Sequence, residues 1–489
     1  MSEGTDVLEP PQATRDAARE TLTSACMLDC PDGCSLEIEV ERGTDGAPDR
    51  IVSIGGVRDG HPTTHGFICA KVGRFADRVD HRDRLLTPLR RIGPKGSGSF
   101  EPISWDQAID LVTGRFREIV ERWGAEAILP CNYGGSNGML SDGLVDAAFF
   151  ARLGASRLAR TICAAPTGAV ATAMYGKIPG VAYEDYPKAR AILIWGANPK
   201  ASGIHLVPYL REAKQRGAFI AVVDPVARFS DREIDLHLPV YPGADLPLAL
   251  GLIHRWQRQG KLDRTFLAEH TVGAETLLEA AAAWTPERAA EAARVPLDDL
   301  LRLADSFADA SPAVVRCGWG LERNRNGGQA VAAVMAIPAL LGKFGVQGGG
   351  YTMSNSRASV FTPPPELEPP RHQTRIVNQS RLGAALDGEL DPPIRALFVY
   401  NCNPLVTVPE QNRVLRGLER EDLFTVVSEQ VMTDTALYAD VVLPATTMLE
   451  HRDIRPGYGS FVIGAARPVV PPRGEARSNV ATFAALGRA

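Results

Sequence analysis

The sequence predicts a multi-domain α/β fold, with a small cysteine-rich domain at the amino end and two related α/β units built on parallel sheets. Three observations predict it. The 489 residues suffice for about three domains with full hydrophobic cores. Two separate stretches each run from an apolar strand through an Asn-Pro turn to a second apolar strand. Four of the eight cysteines, Cys26, Cys30, Cys34 and Cys69, fall at the amino end with the spacing C-x3-C-x3-C-x34-C.

Such a compact set of soft ligands points to a metal centre. Four thiolates suit a tetrahedral zinc or a [4Fe-4S] cluster, and spacing alone does not decide between them. Zinc sites usually pair their ligands as two short hooks, whereas here three thiols share one stretch and the fourth follows later, which suits a cubane. The Cys30-Pro31-Asp32-Gly33-Cys34 run holds turn formers that let the backbone wrap a bulky cluster and aim amides at sulfur. Disulfides or free thiols are the remaining reading, and a reducing compartment argues against disulfides.

Composition narrows the partners. With 53 basic and 58 acidic residues the formal charge is -5, and no long run of either sign suggests nucleic acid or a membrane surface. Small molecules or proteins are the expected partners. No stretch reaches the ~18 apolar residues of a membrane helix. Residues 1–25 are polar and acidic, with no apolar core and no twin-arginine pair, so a cytoplasmic location is expected.

Along the chain, a basic, turn-rich connector over 82–98 leads to Ser104, placed to cap the following helix. The first α/β unit has an apolar strand at 191–195, a Gly196-Ala197-Asn198-Pro199 turn, an amphipathic stretch through Lys214, and a strand at 218–223 ending in Asp224-Pro225. The second has a strand at 395–400, the turn Asn401-Cys402-Asn403-Pro404, and a strand at 423–427 leading to Ser428-Glu429. In open α/β sheets ligands sit beyond the carboxyl ends of the strands. One Asn-Pro is commonly just a turn; two in equivalent places, each with a side-chain amide to donate, point to a site.

Between the units, Tyr241-Pro242-Gly243-Ala244-Asp245 ends an extended segment, and Asp245 is expected near a helix amino terminus, as a cap or as an acceptor of purine ring N–H groups. Glycines cluster at 318–320, 327–328 and 348–350, where backbone can approach a large ligand. None of these clusters matches a G-x-G-x-x-G or Walker loop. The stretch 362–371, with five prolines, reads as a stiff surface connection.

The cysteine cluster, the Cys69-Ala70-Lys71 motif and the paired Asn-Pro units together resemble the molybdopterin oxidoreductase family, typified by dimethyl sulfoxide reductase, formate dehydrogenase and periplasmic-type nitrate reductases. The resemblance runs over 23–489. It implies an iron-sulfur domain at 22–87, completed by about 440–489, and two α/β domains, one at 88–158 with 353–439 and one at 159–352. It further implies that Cys26, Cys30, Cys34 and Cys69 hold a [4Fe-4S] cluster, and that Lys71 lies between the cluster and a pterin. Thr161-Ile162-Cys163-Ala164-Ala165-Pro166-Thr167-Gly168 resembles the ligand loop of the formate dehydrogenase branch, with Cys163 ligating molybdenum or tungsten carried by two guanine-dinucleotide pterins. Formate dehydrogenases have a histidine after this ligand and this chain has Ala164, which counts against formate oxidation for want of the nearest base.

By the same resemblance, Asn198, Asp224, Asp245, Asn401, Asn403, Glu429, Thr433, Asp434 and Thr435 are dinucleotide contacts, although Thr433 and Thr435 could simply cap the next helix. The family ends in a further β-barrel domain over both pterins, and this sequence stops soon after the 471–476 stretch that leads into it. A longer chain or a second polypeptide would then complete the site. The implied activity is a two-electron redox reaction on a small substrate of formate, S-oxide, N-oxide, thiosulfate, polysulfide or nitrate type, with Cys163 and Lys71 in the catalytic machinery and a redox protein as partner. An electron-relay or scaffold subunit without molybdenum, as in the large iron-sulfur subunit of respiratory NADH dehydrogenase, is the alternative, and a zinc-stabilised binding protein a third. His205 is expected to be a structural histidine on a helix face.

Overall fold

The computed structural model describes residues 18–44, 47–355, 358–368, 370 and 373–489. Most of the polar amino-terminal stretch, residues 1–17, and residues 369, 371 and 372 in and beside the proline-rich connection lie outside the described residues. An antiparallel three-stranded sheet of Arg19–Ala25, Ser35–Glu41 and Arg50–Gly56 opens the fold. Cys26, Cys30 and Cys34 occupy the connection between its first two strands, which is closed by the Cys26 amide donating to the Cys34 carbonyl at 2.9 Å. Cys69 immediately precedes the short helix Ala70–Gly73 that carries Lys71. Met27, Leu36, Ile38 and Val40 form a core there with Met448, Leu449, Val469 and Val470, so the far end of the chain packs onto its beginning.

The apolar runs read from the sequence become central strands. Ala191–Trp195 and Ala396–Tyr400 are buried at every position, as strands covered on both faces must be. The first lies in a fully parallel five-stranded sheet, in the order Leu236–Leu238, Phe219–Val223, Ala191–Trp195, Ala313–Cys317, Gly350–Thr352. The second lies in a six-stranded sheet ordered Phe100–Pro102, Leu89–Arg91, Val441–Pro444, Phe424–Glu429, Ala396–Tyr400, Ile128–Asn132, whose last four strands are parallel. Ser104 caps the helix Trp105–Trp123 in a reciprocal capping box with Gln107, as its position in the sequence predicts.

The two sheets share a local plan. In each, the strand ending in an Asn turn is flanked by the next strand in sequence, whose end carries an acid, Asp224 or Glu429. On its other side lies a strand followed by glycine, and those glycines touch the turns. A Cβ on Gly318 would meet the Gly196 carbonyl oxygen at 2.2 Å, and one on Gly135 would meet the Asn401 oxygen at 2.4 Å. A side chain at either position would push its turn away.

Candidate cofactor site

Cys26, Cys30, Cys34 and Cys69 line a single pocket of about 90 Å³, together with Lys71, Gly203 and Ile204. The donor set fits an iron-sulfur cluster. Amides of Leu28, Asp32 and Gly203 hydrogen-bond the sulfurs of Cys26 and Cys30, the pattern that stabilises cluster thiolates. Burial pushes the Cys26 thiol up to about 11, with the Leu28 amide and Arg455 working against it, and burial also raises Cys30 and Cys34. Thiols raised in this way stay protonated until a metal displaces the protons. Arg455, 1% exposed, braces the loop by donating to the carbonyls of Cys26 and Cys30.

His205, expected as a structural histidine on a helix face, stands instead beside the cysteine loop. It precedes the helix Leu206–Gln215 and is fully buried behind Cys34, with Nδ1 3.8 Å from the Cys34 sulfur and 2.8 Å from Asp32 Oδ2, and Nε2 2.8 Å from the Phe67 carbonyl. Phe67 stacks on its ring with centroids 4.2 Å apart. The pairing joins residues 173 positions apart, so no local pattern announces it.

Lys71 also lines a larger cleft of about 430 Å³ at the carboxyl ends of the six-stranded sheet, where it meets Asn401, Asn403, Glu429 and the guanidinium-bearing Arg74 and Arg78. Asn403 sits at the second turn with its Oδ1 accepting from the Thr435 hydroxyl at 2.6 Å, which leaves the N–H groups of the amide uncommitted by that bond. Thr435 is fully buried and its oxygen also accepts from the Leu405 amide at 3.1 Å, so it fastens the turn instead of capping a helix. Thr433 does cap, its Oγ1 accepting from the Ala436 amide at 3.4 Å. Asp434 is exposed.

Asn401 behaves differently from its neighbour. At φ 54° its side chain turns inward, Nδ2 donating to the Ser141 carbonyl at 3.1 Å and Oδ1 accepting from Asn479 at 3.2 Å. Its amide is thus committed within the protein, although the sequence suggested a donor to ligand. Glu429 ends its strand with a carboxyl raised by burial.

The remaining predicted residues lie outside the linings of both cavities. Asn198 Oδ1 is buried without a partner among the described residues, leaving an acceptor open at the first turn. Asp224 Oδ1 accepts from the Val226 amide at 2.8 Å and closes the turn after its strand. Asp245 is the first residue of the helix Asp245–Arg258 and makes no cap. Its Oδ1 accepts from the Trp195 indole at 2.8 Å, and burial raises its carboxyl.

Cys163 is half-buried in the loop before the helix Ala165–Tyr175 and hydrogen-bonds the Tyr133 side chain. Burial first, then Cys163 and Asp29, raise the Tyr133 hydroxyl. Asp29 faces both cavities and accepts from Asn137 Nδ2 and the Tyr458 hydroxyl, each at 2.9 Å. Sequence reading missed Tyr133, Asn137 and Tyr458, and it also missed Ser141, His451 and Asn479 on the larger cleft. Asp29 alone carried a signal, because it adjoins Cys30.

The molybdopterin oxidoreductase model matches residues 84–489, and the model of the molybdopterin oxidoreductase Fe4S4 domain matches residues 20–81. The chain belongs to the molybdopterin oxidoreductase family. It is 38% identical to the probable oxidoreductase YoaE of Bacillus subtilis (strain 168), covering 95% of this chain and 68% of that protein. To the dimethyl sulfoxide reductase DmsA of Escherichia coli (strain K12) it is 28% identical, covering 89% of this chain and 59% of that one. The structure of acetylene hydratase from Pelobacter acetylenicus shares the fold at a TM-score of 0.80 and 23% identity, over 95% of this chain and 68% of that chain. The chain thus spans between about three fifths and two thirds of the length of these relatives. The two matched domains imply a molybdenum- or tungsten-bearing molybdopterin and a [4Fe-4S] cluster. Among the described residues, no helix is long and apolar enough to cross a membrane.

Proposed function

We propose that the protein moves two electrons between a small substrate and a protein partner, with Cys26, Cys30, Cys34 and Cys69 holding the [4Fe-4S] cluster and Cys163 ligating molybdenum or tungsten in a bis(guanine dinucleotide) centre. When bound, that centre supplies the two-electron chemistry and the cluster passes electrons singly. The observation that carries the reading is Lys71, whose side chain borders both the four-thiol pocket and the cleft bearing Asn403 and Glu429. An ammonium held there stabilises negative charge on either side of it. Asn403, fixed by Thr435, donates its amide toward the cleft, and Asn198, Asp224 and Asp245 serve the equivalent turn of the other sheet. Thr433 and Asp434 complete the second turn, and Asn401 acts indirectly by fastening it to the 141 loop.

The same reading divides the chain at 22–87, completed by about 440–489, at 88–158 with 353–439, and at 159–352, and places the protein in the cytoplasm. Ala164 favours substrates reduced at the metal, of the S-oxide, N-oxide, thiosulfate, polysulfide or nitrate type, over formate. The test is oxidation of a reduced viologen by the anaerobically purified protein in the presence of each of these acceptors, with formate tested in the opposite direction. Turnover of one acceptor, lost in Cys163→Ala, is expected. Protein that carries its iron-sulfur cluster but neither molybdenum nor tungsten, and that turns over none of them and no formate, would refute the catalytic reading in favour of the electron-relay subunit.

A further inference from the structure

We propose that Glu322 is a positioning residue that fixes the loop carrying Cys163 and ties it to the first Asn-Pro turn. The helix Ala165–Tyr175 begins directly after that loop, and its N-cap position is held by Ala164, which offers no side-chain acceptor. Glu322 supplies the missing cap from 155 residues away. Glu322 is 8% exposed, and its Oε2 accepts from the Thr167 amide at 2.8 Å. The carboxylate lies at the positive end of the helix, where its charge is favourable.

The next residue clamps the other flank of the loop, Arg323 Nη1 donating to the Ile162 carbonyl. Cys163 is therefore bracketed by two bonds from adjacent residues. The segment that provides them is itself bound to the strand that leads into Asn198. The Gly318 amide donates to the Trp195 carbonyl at 2.8 Å and the Gly320 amide to the Gly196 carbonyl at 3.3 Å. Gly327 packs so closely against the Glu322 backbone that a Cβ there would meet the Glu322 Cα at 2.5 Å, so a side chain at 327 would displace the segment that carries the carboxylate. One short segment, 318–323, thus sets the position of the Cys163 thiol relative to the first turn.

The purpose of this clamp rests on the reading of Cys163 as a metal ligand, but its existence is tested without metal. The full chain, produced in a host that makes no molybdopterin, is treated with iodoacetamide, and alkylation of Cys163 is followed by peptide mass spectrometry with Cys402 as internal control. Glu322→Ala is expected to speed alkylation of Cys163 about fivefold, the increase in loop opening that loss of one capping bond brings. Glu322→Gln, which keeps the acceptor oxygen, restores a rate within about twofold of the parent. Arg323 is exposed, so Arg323→Ala tests the second clamp without endangering the core and is expected to raise the rate about threefold. The proposal is overturned if Cys163 reacts at the parent rate in both alanine variants, or if Glu322→Gln behaves as Glu322→Ala. If Glu322→Ala fails to fold, Arg323→Ala alone decides between these outcomes. Failure of the metal reading would instead show as protein without molybdenum or tungsten from a competent host, with the alkylation pattern unchanged.

Discussion

Asn401 and Asn403 stand two residues apart on one turn, and their hydrogen bonds assign them different work. Asn403 shares its oxygen with Thr435 alone, while Asn401 is bonded on both sides to the 141 loop and Asn479. Replacing Asn403 by Ala leaves the buried Thr435 hydroxyl without its acceptor. The expected cost is about 1–3 kcal/mol in urea unfolding, the penalty for a stranded buried donor. Thr435→Val strands the buried Leu405 amide as well as the Asn403 oxygen and is expected to cost at least as much as Asn403→Ala in the same assay. At this scale the four cysteines stood out by spacing and the two Asn-Pro turns by their recurrence, while Lys71 was singled out only through the family resemblance. The sequence did not show which atoms were already spoken for. Thr435 lies 32 residues beyond Asn403, and Tyr133 reaches Cys163 from the loop after the strand Ile128–Asn132, so those bonds exist only once the chain has folded.

At the scale of elements, each turn is held from behind by a glycine and from the side by polar contacts. Gly318→Ala would drive a Cβ into the Gly196 carbonyl and Gly135→Ala into that of Asn401. Both are backbone atoms that cannot rotate away. Each variant is expected to fold with a lower melting temperature and to retain less nucleotide-pterin when extracted and quantified by chromatography. Lys200, beside the first turn, pairs with Glu233 at 2.6 Å. That bond, with the Ser230 amide, lowers the Glu233 carboxyl from 4.5 to about 2. A carboxylate depressed in the folded state stabilises fully above its unfolded value, and the contribution fades as pH falls from 4.5 toward about 2. The stability difference between the parent and Glu233→Gln, at most about 1 kcal/mol for a surface pair, should therefore be full at pH 7 and shrink through that window in pH-dependent urea melts. The helix caps were partly legible here. Ser104 was legible as a cap from its place before the helix, whereas the cap on Ala165–Tyr175 comes from Glu322 and was not.

Across the whole molecule, the parallel sheets followed from uninterrupted apolar runs, and the strand order placed both Asn turns at carboxyl ends. The return of residues near 448–470 to the amino-terminal sheet was expected only through the family resemblance, which completes the iron-sulfur domain with about 440–489; residue patterning alone could not show it, because that packing depends on contacts more than 400 positions apart, such as Met27 with Met448. A lysine bordering both cavities was likewise expected only through that resemblance, which sets Lys71 between cluster and pterin. That arrangement is the centre of the account: a four-thiol pocket and a polar cleft sharing the side chain of Lys71. Cys34→Ala is expected to strip the iron while leaving the two sheets folded, checked by iron content and circular dichroism. The most direct measurement is metal content per chain of the anaerobically purified protein by mass spectrometry. About four irons with one molybdenum or tungsten per chain are predicted, and zinc in place of iron, or iron with neither heavier metal, would contradict the account.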